Sequence, residues 1–476
     1  MNEHTRAVGV IAVHPRGFGF LDLETPTGEG TTSAFVPPPA LNRFLAGDRV
    51  EARLVPQEGG RLMADDLVLR ERRATALVGD VVSRRGKLFL KLDPTQANTD
   101  WPLLITGKAP EAGECWVAEV EGDQLKAVRP VAEAERGLER VLVQFDLHER
   151  YPEFKVPPLD RSDRRDLRGV PTVTIDAPSS RDLDDAISAF PADAEGYVRV
   201  LVSIADVDAA VPEGSPLDLD ARRRSTSVYL PGRVIPMLPR ALSEDALSLL
   251  PGVERGAMTV ELRIDPEGEV VATDIYPSLI ASDARLDYER VAAFLDGGEG
   301  EDLPEVALEP LRWARTAAAR IGASRSTRGG VRLLREEVKF VLDADGEPVE
   351  AEARHTNSAH LLIERLMVAA NEAVATWMHA RGLPAVYRVH PAPEAAAVRA
   401  LVRSAQLAGF EPGLGKGLSP RALAAFEQQF ADTPQAPAMY AVLAQALGPA
   451  RYTVHPSSHF GLGAPLYLHF TSPIRR

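Results

Sequence analysis

Apolar positions in the first 130 residues come in short alternating runs broken by glycine and proline. VGVIAVHPRGFGF occupies 8–20, AFV 34–36 and GDRVEARLV 47–55. Short strands at such spacing predict a small closed β unit over 1–73. LVGDVVSRRGKLFLKLD and WVAEVEGDQLKAV predict a second β unit of similar size over 74–130, without the aromatic strand of the first. The period then changes. Leu138, Leu142 and Phe145 fall at helical spacing, and a Pro-rich, charged stretch at 151–171 reads as an irregular linker. Residues 131–170 are therefore a helix and linker. From 171 to 476 strand-like and helical patterns mix, which predicts an α+β domain. YVRVLVSIA at 197–205 reads as a buried strand and 356–381 as a strongly periodic helix. Further helices are expected at 393–409, 419–431 and 436–447.

Composition adds little until charge is considered. The chain has 476 residues, 45% hydrophobic and 26% charged, as an ordinary globular protein does. Its single cysteine, Cys115, excludes an intramolecular disulfide and fits a reducing compartment. No apolar run is long enough to span a bilayer and the start has no signal-peptide core, so a cytoplasmic location without membrane association is expected. A net charge of −14 argues against a broadly basic nucleic-acid coat. Any nucleic-acid site must be local. One candidate is 311–335, with seven arginines (312, 315, 320, 325, 328, 332 and 335) and no acidic residue. An exposed helix face explains such a run equally well.

The chemistry concentrates in VTIDAPSSRDLDDAI at 173–187, which carries Asp176, Asp182, Asp184 and Asp185. The β-branched run before Asp176 predicts a strand that ends on it, and Pro178-Ser179-Ser180 a turn. Four carboxylates this close repel one another, and a divalent cation reverses that. Carboxylate oxygens suit magnesium, with waters and substrate phosphates completing the shell. In an extended run Asp182 and Asp184 share a face and Asp185 points away. All four meet only if the backbone bends there, unless one supports another from behind. An Asp-rich stretch is more often a solvated loop or helix start, and no EF-hand pattern is present. His360 and Glu364 lie one helical turn apart, but without an HExxH motif or a Cys/His set zinc is not expected.

Seven stretches occur in one order: RRDLRGVPTVTIDAPSSRDLDDAI, SIADVDAAVPEGSPLD, STSVYLPGRVIPMLPRALS, ARLDYERV, HLLIERLMVAAN, YRVHPAP and HFGLGAPLYLHFTSPIRR. In them the chain resembles the ribonuclease II / ribonuclease R (RNB-domain) family of exoribonucleases from about 160 to the end. GxIxxHPRGFGFL…AFVPP…GDRV resembles cold-shock-like OB domains, whose aromatics, here Phe18 and Phe20, face nucleic acid; the second β unit resembles an OB domain weakly. The resemblance implies N-terminal OB-type barrels followed by a large α+β RNB-type catalytic domain. It implies a magnesium-dependent 3′→5′ exoribonuclease that cuts single-stranded RNA to nucleoside 5′-monophosphates, with manganese as a substitute metal and a monomer sufficient. Two metal ions about 4 Å apart would activate water, polarise the phosphate and stabilise the leaving oxygen. The family pattern assigns Asp176, Asp182 and Asp185 to metal, and Asp184 to the second ion or the nucleophilic water. It assigns Arg475 to the scissile phosphate, Arg476 to the RNA backbone and Tyr229, Tyr288 and Phe340 to base stacking. Glu364 is a candidate for contacts to the ribose hydroxyl.

Two departures weigh against a simple transfer. Arg365 stands where the family has a second acidic residue, and the chain stops inside TSPIRR, short of the family's further helices and C-terminal OB domain. The alternative is therefore an RNA-binding or regulatory protein that keeps the fold with little turnover. A metal phosphohydrolase for small phosphoesters fits less well, because it needs neither OB-like domains nor spread aromatics.

Overall fold

Alternation at 49–54 becomes a strand because Val50, Ala52 and Leu54 all point into one core. A computed structural model describes residues 6–26, 31–57, 60–330, 337–343, 348–354, 356–414 and 418–471. The chain divides into two units, Met1–His148 and Glu149–Arg476.

The first unit holds two closed five-stranded barrels. β1 (Arg6–His14), β2 (Phe18–Leu23), β3 (Ser33–Val36), β4 (Arg49–Gln57) and β5 (Arg61–Glu71) form one, with the short helix α1 (Pro38–Leu41) over its end. Ile11, Leu21, Val36, Leu41 and Val50 fill it. β6 (Ala76–Arg84), β7 (Lys87–Lys91), β8 (Trp101–Leu104), β9 (Cys115–Glu121) and β10 (Gln124–Val131) form the other around Leu77, Leu90, Trp101, Trp116 and Leu125. Arg72 joins the barrels. It pairs with the fully buried Asp48 at 3.0 Å and lies over the Trp101 ring. Removing either charge would strand the other, at a cost of about 3–5 kcal/mol.

A helix follows, α2 (Arg136–Gln144), with Leu142 buried and Arg140 bonded to Asp80 at 3.0 Å. Phe145 does not join its apolar face. The backbone leaves the α conformation there (φ −103°, ψ 10°), and the ring is 64% exposed.

The second unit is built on one sheet. Its strands are β11 (Arg165–Asp166), β12 (Val173–Asp176), β13 (Asp185–Ala189) and β14 (Val198–Ala205), then, after the short helices α3 (Val207–Ala210) and α4 (Pro216–Arg224) and the hairpin β15 (Val228–Leu230)–β16 (Arg233–Ile235), β17 (Glu254–Ile264), β18 (Val270–Ala281) and β19 (Ala284–Asp287). Their order is β11-β18-β17-β14-β13-β12-β19. β14 reads as a continuous apolar run because both of its faces are covered. Val198, Val200, Val202 and Ile204 face the helix side, and Leu201 and Ala205 join Leu183, Leu249 and Ile280 on the other.

α5 (Tyr288–Leu295), α6 (Glu305–Arg328) and α7 (Ser358–Ala380) pack on the helix side. Ala307, Ala314, Ala317 and Ala318 are buried on α6, and such small residues allow close approach to the sheet. The hairpin β20 (Glu337–Leu342)–β21 (Pro348–Arg354) stands apart as a two-stranded ribbon. α8 (Ala395–Leu407), α9 (Pro420–Phe430) and α10 (Ala436–Leu447) surround a separate core of Leu423, Phe426, Phe430 and Leu443. The two-stranded pair β22 (Tyr387–Val389)–β23 (Arg451–Thr453) completes the unit.

The arginine-rich run is not an open phosphate stripe over its described part. Arg315 donates to the Leu295 carbonyl and Arg320 to that of Gly196. Arg325 pairs with Glu364, Arg328 with Glu372, and Arg312 lies near the Phe294 ring. Carboxylates of α7 thus meet Arg325 and Arg328, while carbonyls or a ring engage the other three; Arg332 and Arg335 lie outside the described residues. Among the described residues no helix is long and apolar enough to cross a membrane.

Candidate active site

β12 delivers Asp176 at its C-terminal end because Val173 and Ile175 are held in the core on alternate positions. The chain leaves the sheet there and returns as β13, which starts at Asp185 and pairs with Ile204 of β14. Residues 181–184 form no regular element, so the bend that four converging carboxylates require is present. Leu183, fully buried, anchors it. Its N–H donates to Ser248 Oγ at 3.0 Å, and Ser248 Oγ donates to the Arg181 carbonyl at 2.7 Å. The Leu249 N–H reaches the Leu183 carbonyl and the Ala205 N–H that of Asp184. The half-buried Asp182 and Asp184 flank this anchor.

Asp176 feels the charge of the other three. Burial, then repulsion from Asp185 and Asp184, raises Asp176 to about 7, against the opposing pull of Arg285; Asp182 adds a smaller push. Burial raises Asp185 to about 6. Asp176 Oδ2 is buried and makes no hydrogen bond among the described residues. A buried acceptor with no donor, beside three more carboxylates, fits a bound cation. Among the described residues no three acidic, histidine or cysteine side chains converge tightly enough to hold an ion by themselves.

Tyr229 and Tyr288 border this end of the sheet. Tyr229, on the β15–β16 hairpin, donates its hydroxyl to Asp182 Oδ2 at 3.3 Å and keeps its ring half exposed. Tyr288 follows Asp287, which lies in register with Asp176 across β12 and β19. Its ring stacks on His360. Phe340, 54% exposed, is carried by the separate β20–β21 hairpin opposite Ala351. Glu364 is exposed on α7 and paired with Arg325 at 3.2 Å. Arg365 reaches the Ala318 carbonyl of α6 instead of a second acidic position. Arg475 and Arg476 lie outside the described residues.

In the first unit, Phe18, Phe20 and Phe35 form a surface cluster with centroids 5.7–6.2 Å apart, and His14 stacks on Phe18 at 4.3 Å. Sequence reasoning named Phe18 and Phe20 and missed Phe35. The signal was available, since Ala34 and Val36 alternate inward and leave Phe35 outside. Arg285, Ser248 and Asn371 were also missed. Their importance lies in which backbone groups they bind, and only folding decides that. Asn371, buried on α7, accepts the Phe470 and Thr471 N–H groups at 2.8 Å each and donates to the Tyr467 hydroxyl.

Comparison with known proteins agrees with this arrangement. A family model described as the RNB domain matches residues 164–476, and one described as the Ribonuclease B OB domain matches 9–68. The chain is 30% identical over 493 residues to Ribonuclease R of Aquifex aeolicus, covering 98% of this chain and 68% of that protein. It is 36% identical over 383 residues to Ribonuclease R of Thermotoga maritima, covering 78% of this chain and 52% of that protein. It thus spans from about half to just over two thirds of these relatives' length. The structure of Mycoplasma genitalium RNase R in complex with ribose methylated single-stranded RNA matches with a TM-score of 0.84 and 25% identity, over 98% of this chain and 77% of that one. OB barrels followed by an RNB domain, with the aspartates gathered at one end of its sheet, place this chain in the RNB-domain family of ribonuclease R-type 3′→5′ exoribonucleases.

Proposed function

We propose that the chain is a divalent-metal-dependent 3′→5′ exoribonuclease that shortens single-stranded RNA by one nucleoside 5′-monophosphate at a time. The observation that carries this reading is the buried, unsatisfied Asp176 Oδ2 among Asp182, Asp184 and Asp185, beside the half-exposed ring of Tyr229. Family membership and the single-stranded RNA held by the Mycoplasma relative support it.

Asp176, Asp182 and Asp185 would hold magnesium, or manganese in its place. The bound ions supply an activated water and offset charge on the phosphate and the leaving oxygen. Asp184, fixed through its carbonyl by the Ala205 N–H, orients the attacking water. Attack on the terminal phosphodiester breaks the bond between phosphorus and the 3′ oxygen of the preceding nucleotide. The phosphate stays on the 5′ oxygen of the released terminal nucleoside, and the 3′ oxygen left on the shortened RNA takes up a proton. Tyr229, Tyr288 and Phe340 stack on bases, which accepts any sequence because every base has a π face. Phe18 and Phe20 offer a separate stacking surface on the first barrel. Glu364 contacts ribose, Arg475 clamps the scissile phosphate as a planar guanidinium does well, and Arg476 meets the RNA backbone. The enzyme works as a monomer in the cytoplasm.

The test is 5′-labelled single-stranded RNA with magnesium or chelator, beside Asp184→Asn. Magnesium-dependent loss of full-length RNA to a short labelled limit product, abolished in the variant, is expected. Binding without degradation would favour an RNA-binding protein of this fold.

A further inference from the structure

Between Asp176 and Asp182 the chain makes a tight turn, closed by the Ser180 N–H on the Ala177 carbonyl at 3.0 Å. One side chain holds that turn. Arg285 Nη2 donates to the carbonyls of Ser180 at 2.6 Å, Pro178 at 2.8 Å and Ala177 at 3.4 Å. Arg285 is on β19, in parallel register with Thr174 of β12. Ala284 and Leu286 on either side of it are buried in the core, as are Val173 and Ile175 on β12. Strand alternation therefore puts Thr174, Asp176 and Arg285 on one face of the sheet. The guanidinium starts beside the strand that ends in Asp176 and covers the turn that leads to Asp182.

This arrangement answers two physical demands. Three carbonyl dipoles gathered next to four carboxylates would be unfavourable without a cation among them, and a guanidinium supplies one with directed donors. A turn with no side-chain brace would also have to be ordered each time a cation bound, which weakens binding. Ser248 and Leu249 fix 181–183 from the other direction, so both halves of the aspartate loop are held before any cation arrives.

We propose that Arg285 is a positioning residue that preorganises the aspartate loop for divalent cations. The inference rests on the metal-dependent reading of the site. Its sign is not trivial. A positive charge near the site opposes cation binding, so a brace and a simple charge predict opposite effects of removal.

The test is Mn2+ binding to the RNA-free 476-residue chain, followed by the spin resonance of free Mn2+, for wild type, Arg285→Gln and Arg285→Lys. Melting curves accompany each. Supporting groups of this kind typically set metal affinity by about 10–100-fold. Arg285→Gln is expected to weaken Mn2+ binding by at least about tenfold, with Arg285→Lys in between because it keeps the charge with a shorter reach. Unchanged or tighter binding by folded Arg285→Gln overturns the proposal, as does a lowered melting temperature with unchanged affinity. If Arg285→Gln does not fold, Arg285→Lys decides by the same criterion. Wild-type binding and RNA degradation with unaltered variants would refute Arg285 alone. A wild type that neither binds Mn2+ nor degrades RNA would refute the metal-dependent reading together with it.

Discussion

The rings of Tyr288 and His360 lie face to face, with centroids 3.9 Å apart and planes within 7°. His360 is held in turn by Asn357, whose Oδ1 lies 2.7 Å from His360 Nδ1 and also accepts the His360 N–H at the start of α7. One face of Tyr288 is therefore already taken. A base stacking on Tyr288 must use the other face, and His360 becomes the backing of a three-layer stack. Aromatic pairs of this kind contribute about 0.5–1.5 kcal/mol. His360→Ala should raise KM for RNA by about 3–10-fold with a much smaller change in kcat, measured by initial rates on a labelled oligonucleotide. A kcat loss with unchanged KM would contradict this role.

The aspartates predict a pH dependence of stability with a definite sign. Asp176 and Asp185 are held above the ordinary carboxylate range, at about 7 and about 6. A carboxyl raised in the folded state stabilises the fold fully below its unfolded value, about 4. That contribution is lost as pH rises through the folded values. Chelated protein should therefore lose stability between about pH 4 and 7 through these two groups. Magnesium should restore more at pH 8 than at pH 5, because it needs ionised ligands. Melting curves with magnesium and with chelator at both pH values test this.

The aromatic cluster of the first barrel yields a test with little stability penalty. Phe20 and Phe35 are 37% and 38% exposed, so truncation opens no internal cavity. Stacking on a base is worth about 1–3 kcal/mol. Phe20→Ala and Phe35→Ala should each weaken single-stranded RNA binding by about 5–100-fold. Hydrolysis of a dinucleotide, which needs only the active site, should stay unchanged. Equal losses on both substrates would argue against a binding role.

Asn371 predicts the reverse balance. Its carboxamide oxygen is the acceptor for two backbone N–H groups where TSPIRR begins, those of Phe470 and Thr471. Asn371→Ala leaves both buried donors unmatched, at a cost of about 1–3 kcal/mol each. Asn371→Asp keeps the acceptor and should recover most of that. Urea denaturation of the two variants separates the cases.

Much of this protein was legible locally. Alternation over 8–20 and 47–55 marked the first barrel, and the dense carboxylates of 176–185 marked the chemistry, because both are patterns of neighbours along the chain. The structure adds the partners. Phe145 looked like a core position from its spacing, yet the backbone leaves the helix at that residue and the ring stays in water. Five arginines read equally as a phosphate patch or an exposed helix face, and the structure gives them Glu364, Glu372, two carbonyls and a ring as partners.

The sequence by itself determined the two β units, the α+β domain and the four aspartates, since residue type and period are local properties. Only the tertiary structure decided how those aspartates meet. Leu183 buries itself, Ser248 and Arg285 bind the loop backbone, and β19 sets Asp287 beside Asp176. These contacts join residues about 65–110 positions apart. Hydrogen bonds to backbone carbonyls leave no mark on the residue that accepts them, so no local pattern could have announced them.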